Sequence, residues 1–364
     1  MTASAQRRRP SPRFWVSLVT AILVGIIVWQ AWPTMLEAAE SLSDVDIVVF
    51  ALLIPVQLAS FAVTGEVLFS FLRGRGELHG MHPLTAMRMS LEFNFANHML
   101  PSGGAAGIAY TAWKLNTLGV SASRGTLAQF ARFAVTFVSF SVMLAVSGVW
   151  LILSGHGTST VLWTAAGIGA LAVVGTASGA LLLRRRRLLH RFAGVITRVG
   201  AWGARLIRRP GLIDPVQLVR FVDGVHIEVR EVTANARSLV VPFLWSFLVN
   251  ALDAGLFWVA LVAFGIRPDP ALVFVAYGVA TVASMIVVTP NGVGAYEVVM
   301  VGTFVAGGLP ADTTIAAIVL ARAVLLLGTI VFGWGFYQHS VATAHAPRIR
   351  TKGTDRMGRP RTLP

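Results

Sequence analysis

Two stretches of the chain are built to one plan. Each opens with a carboxylate inside an apolar run, Glu66 in the first and Asp253 in the second. Each is then interrupted by a Pro-x-Gly break, at Pro101-Ser102-Gly103-Gly104 and at Pro290-Asn291-Gly292. Eighteen residues after each proline a glycine opens a second turn, Gly119-Val120-Ser121-Ala122 and Gly308-Leu309-Pro310-Ala311. Each stretch closes in an apolar run that carries one arginine, Arg132 or Arg322. The spacings agree: 35 and 37 residues from acid to proline, 31 and 32 from proline to arginine. In a membrane protein, helix-breaking segments at corresponding places in two halves point to inverted repeats with a transport site between them.

That setting is a membrane. The chain is 55% hydrophobic and 13% charged, where a soluble domain carries about a quarter charged residues. Crossing ~30 Å of hydrocarbon takes roughly 20 residues. Six runs qualify, near 14–32, 46–72, 126–153, 160–183, 239–264 and 313–338. Two more segments, 84–118 and 271–308, are apolar but broken by the Pro-Gly motifs. Each reads as a re-entrant hairpin of two half-helices, because irregular backbone at membrane depth survives only against protein or a wet cavity. The expected fold is an all-α polytopic membrane protein of six to eight transmembrane helices, with two Pro/Gly-broken re-entrant hairpins as inverted repeats. There are no cysteines, which excludes disulfides and thiol chemistry. No cofactor or metal is implied.

The arginines orient the chain. With both hairpins returning to their starting side and a cytoplasmic N-terminus, 27 of the 30 cations fall inside, Arg132 and Arg322 lie within spans, and Arg267 alone is outside. That distribution follows the positive-inside rule. It also accounts for a net charge of +14 without nucleic acid. The expected location is the cytoplasmic membrane, with both termini cytoplasmic. Two full spans in place of the second hairpin preserve the same sidedness and stay open. The layout is a basic N-terminus 1–13, a transmembrane domain 14–340 with a basic cytoplasmic insert 184–237, and a basic tail 341–364. Within the insert, Arg191, Arg198 and Arg205 recur every seven residues, as on an amphipathic helix lying on the inner leaflet. Residues 214–237 read as a solvated helix. A cysteine at Ser340 is the labelling site this reading recommends.

Glu66, Arg132, Asp253 and Arg322 stand in otherwise apolar runs. An ionisable group at a helix centre costs at least ~2.5–3.5 kcal/mol, so such groups pair or face a cavity. One acid and one arginine per module predict a paired or four-charge centre. Arg132 and Glu66 lie near span ends and could instead snorkel to the interface. The first hairpin adds Glu92, Asn94, Asn97 and His98 before its break, and the second adds Asn291 and Glu297 around Gly292 and Gly294. Glycines ahead of a helix N-terminus offer backbone N–H groups to an anion. With arginines nearby, a phosphate headgroup is the natural anion.

At Asn97-His98-Met99-Leu100-Pro101-Ser102-Gly103-Gly104, Leu118-Gly119-Val120-Ser121 and Thr289-Pro290-Asn291-Gly292-Val293-Gly294-Ala295-Tyr296-Glu297, the chain resembles the lysylphosphatidylglycerol synthase transmembrane family, the flippase-like domain proteins. The resemblance covers roughly 14–340. It implies the lipid-flipping half of those synthases without their aminoacyl-transfer half, hence no enzyme. The family's Pro-Gly and Gly-x-Gly-x-x-Glu positions map onto Pro101, Gly103, Gly104, Pro290, Gly292, Gly294 and Glu297. Tyr296 departs from that pattern, standing where arginine is common. The expected function is translocation of a phospholipid or other phosphate-bearing lipid, with membrane lipids as partners. Arg132 and Arg322 would contact phosphate, and Glu66 and Asp253 would be their counter-charges or proton carriers. A second reading is a polyprenyl-phosphate-dependent glycosyltransferase with Asp44 and Asp46 as metal-binding acids. A third is a non-transporting partner of a cell-envelope complex. Oligomeric state is not read from the sequence.

Overall fold

The computed structural model describes residues 45–343 apart from 79, 100–104, 156–157, most of 186–233 and 287–293. The run 14–32, the basic N-terminus, the tail beyond 343, most of the 188–209 segment and both Pro-Gly breaks lie outside the described residues. Every described secondary-structure element is helical. They are α1 (Ile47–Ala51), α2 (Leu53–Gly74), α3 (Pro83–Met99), α4 (Ala105–Thr117), α5 (Ala122–Leu153), α6 (Ser159–Arg184), α7 (Val240–Ala263), α8 (Pro270–Ile286), α9 (Ala295–Ala306) and α10 (Ala311–Thr343).

Among the described residues, five stretches are long and apolar enough to cross a membrane: Ile47–Gly74, Ala122–Leu153, Ser159–Gly179, Ala236–Ala263 and Ala311–Ser340. They coincide with five of the six runs expected from the sequence. The helices flanking the breaks are shorter. α3 and α8 have 17 residues each, and α4 and α9 have 13 and 12. At ~1.5 Å per residue the longer arms reach about 26 Å and the shorter ones about 18–20 Å. The arms are therefore unequal rather than half-helices, and the second arm of each hairpin falls well short of ~30 Å.

The two modules pack as equivalents. The first comprises α2, the α3–α4 hairpin and α5; the second comprises α7, the α8–α9 hairpin and α10. α2 packs on α7 at the centre. Exchanging the modules turns each remaining contact into another that is present: α3 on α10 becomes α8 on α5, α7 on α5 becomes α2 on α10, and α4 on α5 becomes α9 on α10. The hairpins open at opposite ends. Arg88 on α3 and Lys114 on α4 meet at Ser340, at the arginine-rich end where Arg124 also pairs with Glu77. At the other end, Trp150 Nε1 donates to Asp269 beside the start of α8, and Thr158 Oγ1 donates to the Ala306 carbonyl at the end of α9. The repeats are thus inverted.

The second turns of the modules are also alike. Gly119 and Gly308 have φ +90° and +93°, a conformation that only glycine enters without penalty. In each, the next residue's N–H reaches back five residues, Val120 to Leu115 at 3.1 Å and Leu309 to Phe304 at 3.0 Å. That bond closes the helix and re-aims the chain.

Small residues let the first hairpin approach its neighbours. A methyl group added at Gly333 on α10 would sit 2.7 Å from Phe95 Cβ and 3.1 Å from the Leu91 carbonyl oxygen. Close backbone approach through glycine is the usual packing of membrane helices. Gly333→Val is expected to destabilise the protein by ~1–3 kcal/mol through overpacking. Gly335→Val, where nothing lies within 4 Å of the added carbon, serves as the control. Thermal unfolding in detergent compares the two.

One part of the insert differs from expectation. Val229 and Val232 are 6% and 7% exposed and pack with Leu72, Leu115, Val120 and Leu127. Glu231 pairs with Arg75 at 2.5 Å. This segment docks on the helix ends rather than standing in solvent, because its valines find an apolar patch between α2 and α5. Ser340 is also unsuited to labelling, being 2% exposed and hydrogen-bonded to Glu92. Exposed Ala234 at the arginine-rich end and exposed Ser159 at the other are the better pair. With the positive end inside, Ala234→Cys is expected to resist an impermeant thiol reagent applied to intact cells and Ser159→Cys to react. The reverse pattern inverts the topology.

Candidate functional site

A cavity of about 240 Å³ lies between the modules. α2 contributes Gln57, Ser60 and Thr64 to its wall, α3 contributes Asn94, and α7 contributes Asp253. From the second hairpin come Tyr277, Thr281 and Ser284 on α8 and Tyr296 on α9; α10 supplies Arg322 and Thr329. Both hairpins therefore face one polar chamber inside an otherwise apolar bundle. A smaller cavity of about 20 Å³ is lined by Thr64, Tyr110, Thr111, Lys114 and Arg132, room for roughly one water. Thr64 borders both.

The two arginines sit alike. Arg322 lies over the ring of Tyr296 at 4.2 Å from the centroid, and Arg132 over Phe93 at 4.3 Å. Each caps an aromatic ring of its own module's hairpin, which holds a guanidinium in place by cation–π attraction. Their polar partners differ. Arg322 Nε donates to Glu297 Oε1 at 2.9 Å. Arg132 has no hydrogen-bond or ion-pair partner among the described residues; a second ring, Phe133, lies 5.1 Å away.

The expected acid–arginine pairs do not form. Glu66 pairs with Arg73, one heptad along the same helix, and lines neither cavity. Two turns of helix bring these residues onto one face, which removes Glu66 from the centre. Asp253 meets hydroxyls: Ser60 Oγ donates to Oδ1 at 2.5 Å and Tyr277 OH to Oδ2 at 3.4 Å. Arg322 takes its carboxylate from the second hairpin instead. Gly294, at φ +90°, begins α9, and its N–H donates to Glu297 Oε2 at 2.7 Å. The anion at this helix N-terminus is the chain's own carboxylate, so that N–H is committed. Asn97 lies in α3, while Pro101, Gly103, Gly104, Pro290, Asn291 and Gly292 fall outside the described residues. Asp46 spends its carboxylate as the cap of α1, accepting from Val48 and Val49 N–H at 3.0 and 3.2 Å. Asp44 lies outside the described residues.

Sequence reasoning missed a second polar centre at the arginine-rich end. Glu92 is 0% exposed. It accepts from Arg88 Nε at 2.8 Å, Ser340 Oγ at 2.6 Å and Tyr110 OH, with Lys114 Nζ at 3.4 Å. The Arg88–Glu92 spacing of four was the available signal. Ser60, Gln57 and Tyr277 were missed because isolated hydroxyls and amides in apolar runs carry no sequence signature.

A sequence model of the family described as the lysylphosphatidylglycerol synthase TM region matches residues 14–333. A UPF0104 membrane protein of Methanothermobacter thermautotrophicus is 26% identical over 250 residues, covering 66% of this chain and 69% of the relative. No solved structure matches.

Proposed function

The chain belongs to the lysylphosphatidylglycerol synthase transmembrane-region family, and from that premise we propose that it moves a phospholipid or other phosphate-bearing lipid across the cytoplasmic membrane. The observation that carries this reading is the chamber between the inverted repeats, with Arg322 on its wall. A guanidinium held inside a bilayer protein matches a phosphate diester in charge and in planar hydrogen-bond geometry. At about 240 Å³ the chamber is below the ~300–1,000 Å³ of pockets that enclose drug-sized ligands. It fits a headgroup whose acyl chains stay in the membrane.

The inverted repeat supplies the second half-site. Exchange of the modules carries Arg322 onto Arg132, and Thr64 lies between their two cavities. Rocking one repeat against the other would open the chamber to each leaflet in turn. In this scheme Arg132, without a carboxylate partner among the described residues, accepts the phosphate that leaves Arg322.

Reconstitution into liposomes with headgroup-labelled lipids tests the proposal. Phosphatidylglycerol is expected to exchange between leaflets faster than in protein-free vesicles, and a glycosylated diacylglycerol without phosphate is not. Equal movement of both lipids removes the phosphate from the mechanism. Movement of neither removes the translocator.

A further inference from the structure

Among the described residues of the bundle, Glu66 pairs with Arg73, Glu92 with Arg88 and Lys114, and Glu297 with Arg322. Asp253 has no such cation partner among them. Among the described residues its two oxygens meet the Ser60 and Tyr277 hydroxyls, and it lies on the wall of the central cavity. We propose that Asp253 is a proton-binding site, and, resting on the translocator reading above, that its protonation admits the lipid phosphate to the cavity.

The partners favour a proton over other cations. A hydroxyl donates to a carboxylate and, by rotating, accepts from a carboxylic acid. Ser60 and Tyr277 can therefore satisfy Asp253 in both states, which a guanidinium cannot do. A calcium-type cation asks for six to eight oxygens, and the oxygens within hydrogen-bond distance of this carboxylate among the described residues are two hydroxyls. The polar groups that share the cavity wall with Asp253 are Gln57, Ser60 and Thr64 on α2, Asn94 on α3, Tyr277, Thr281 and Ser284 on α8, Tyr296 on α9, and Arg322 and Thr329 on α10. Arg322 is the one cation in that set, and its Nε is committed to Glu297.

Charge then links the two ligands. A phosphate monoanion on Arg322 and an ionised Asp253 would place like charges in one low-dielectric chamber, each raising the cost of the other. The proton goes from water onto an Asp253 oxygen as the phosphate enters. It leaves on the far side as the phosphate leaves, so one proton accompanies one headgroup and no other bond changes.

Two measurements test this. In proteoliposomes, acidifying the side that the labelled phosphatidylglycerol leaves is expected to raise its flux several-fold, and Asp253→Asn is expected to lose that response. An infrared pH titration of the purified protein is expected to show a protonated-carboxyl carbonyl band, absent from Asp253→Asn. Ser60→Ala keeps the carboxyl and is expected to shift the band, because the carbonyl loses a hydrogen bond. Wild-type flux indifferent to the pH gradient, or driven by a sodium gradient instead, overturns the coupling while leaving translocation standing. A titration without that band overturns the proton site itself. The band without any lipid flux overturns the translocator reading and the coupling with it, and supports proton binding alone.

Discussion

Arg322→Gln is expected to abolish lipid flipping, and adding Glu297→Gln is expected to restore stability without restoring flipping. Arg322 and Glu297 are paired at 2.9 Å, each less than a fifth exposed. Removing the arginine strands the carboxylate, a loss of ~3–5 kcal/mol for a buried pair. Only the Gly294 N–H then remains to it among the contacts described above. Neutralising both groups removes that penalty, so the double variant should unfold near the wild-type temperature. A purely structural arginine would let flipping return along with stability. An arginine that holds the phosphate would not. Arg322→Lys should lie between, keeping the charge but losing the planar fork, with flux lowered about tenfold for each ~1.4 kcal/mol of lost phosphate binding.

Arg132 provides the contrast. Among the described residues it has no carboxylate to strand, so Arg132→Gln should leave the fold as stable as wild type. Flipping should still fall, because the second half-site has lost its cation. Wild-type flux in the Arg132→Lys, Arg322→Lys double variant takes both arginines out of the site.

The sequence made the repeat legible because it is written in backbone chemistry. Prolines and glycines set where helices break, whatever packs around them. Gly119 and Gly308 accordingly adopt nearly the same φ, and the predicted spans coincide with five helical stretches. Charge pairing between helices was not legible, because it depends on how each helix is rotated. Glu66 and Arg132 occupy the same module, yet Glu66 turns to Arg73 and Arg132 to the ring of Phe93. Arg322 finds Glu297 across 25 positions and the α9–α10 turn. The glycine faces were equally hidden: Gly333 and Gly335 differ in the structure by whether α3 lies against them, which no local pattern reports. Asp253 was singled out from the sequence as the carboxylate in the apolar run that opens the second repeat. Its hydroxyl partners come from α8 of its own module and from α2 of the other, which only the crossing of the two modules brings beside it.

Glu92→Gln should be the most destabilising single charge change in the first module. The carboxylate is fully buried, and it is the acid that Arg88 and Lys114 share. Those two cations also converge on one hydroxyl, Ser340 Oγ, at 3.1 and 2.7 Å. With glutamine in place, two positive groups face each other with no negative charge between them. The expected loss is again ~3–5 kcal/mol, the range for breaking a buried pair. It should appear as a lowered unfolding temperature in detergent. Adding Lys114→Met removes the repulsion and should recover part of the loss, because methionine fills the same space without a charge. The cluster joins both arms of the first hairpin to α10, so its failure should also free that hairpin. Faster hydrogen exchange in α3 and α4 than in α8 and α9 would report this. A Glu92→Gln protein within ~1 kcal/mol of wild type would mean that the pairs contribute no more than surface ion pairs do. The first hairpin would then be held by its apolar packing against α2, α5 and the glycine face of α10.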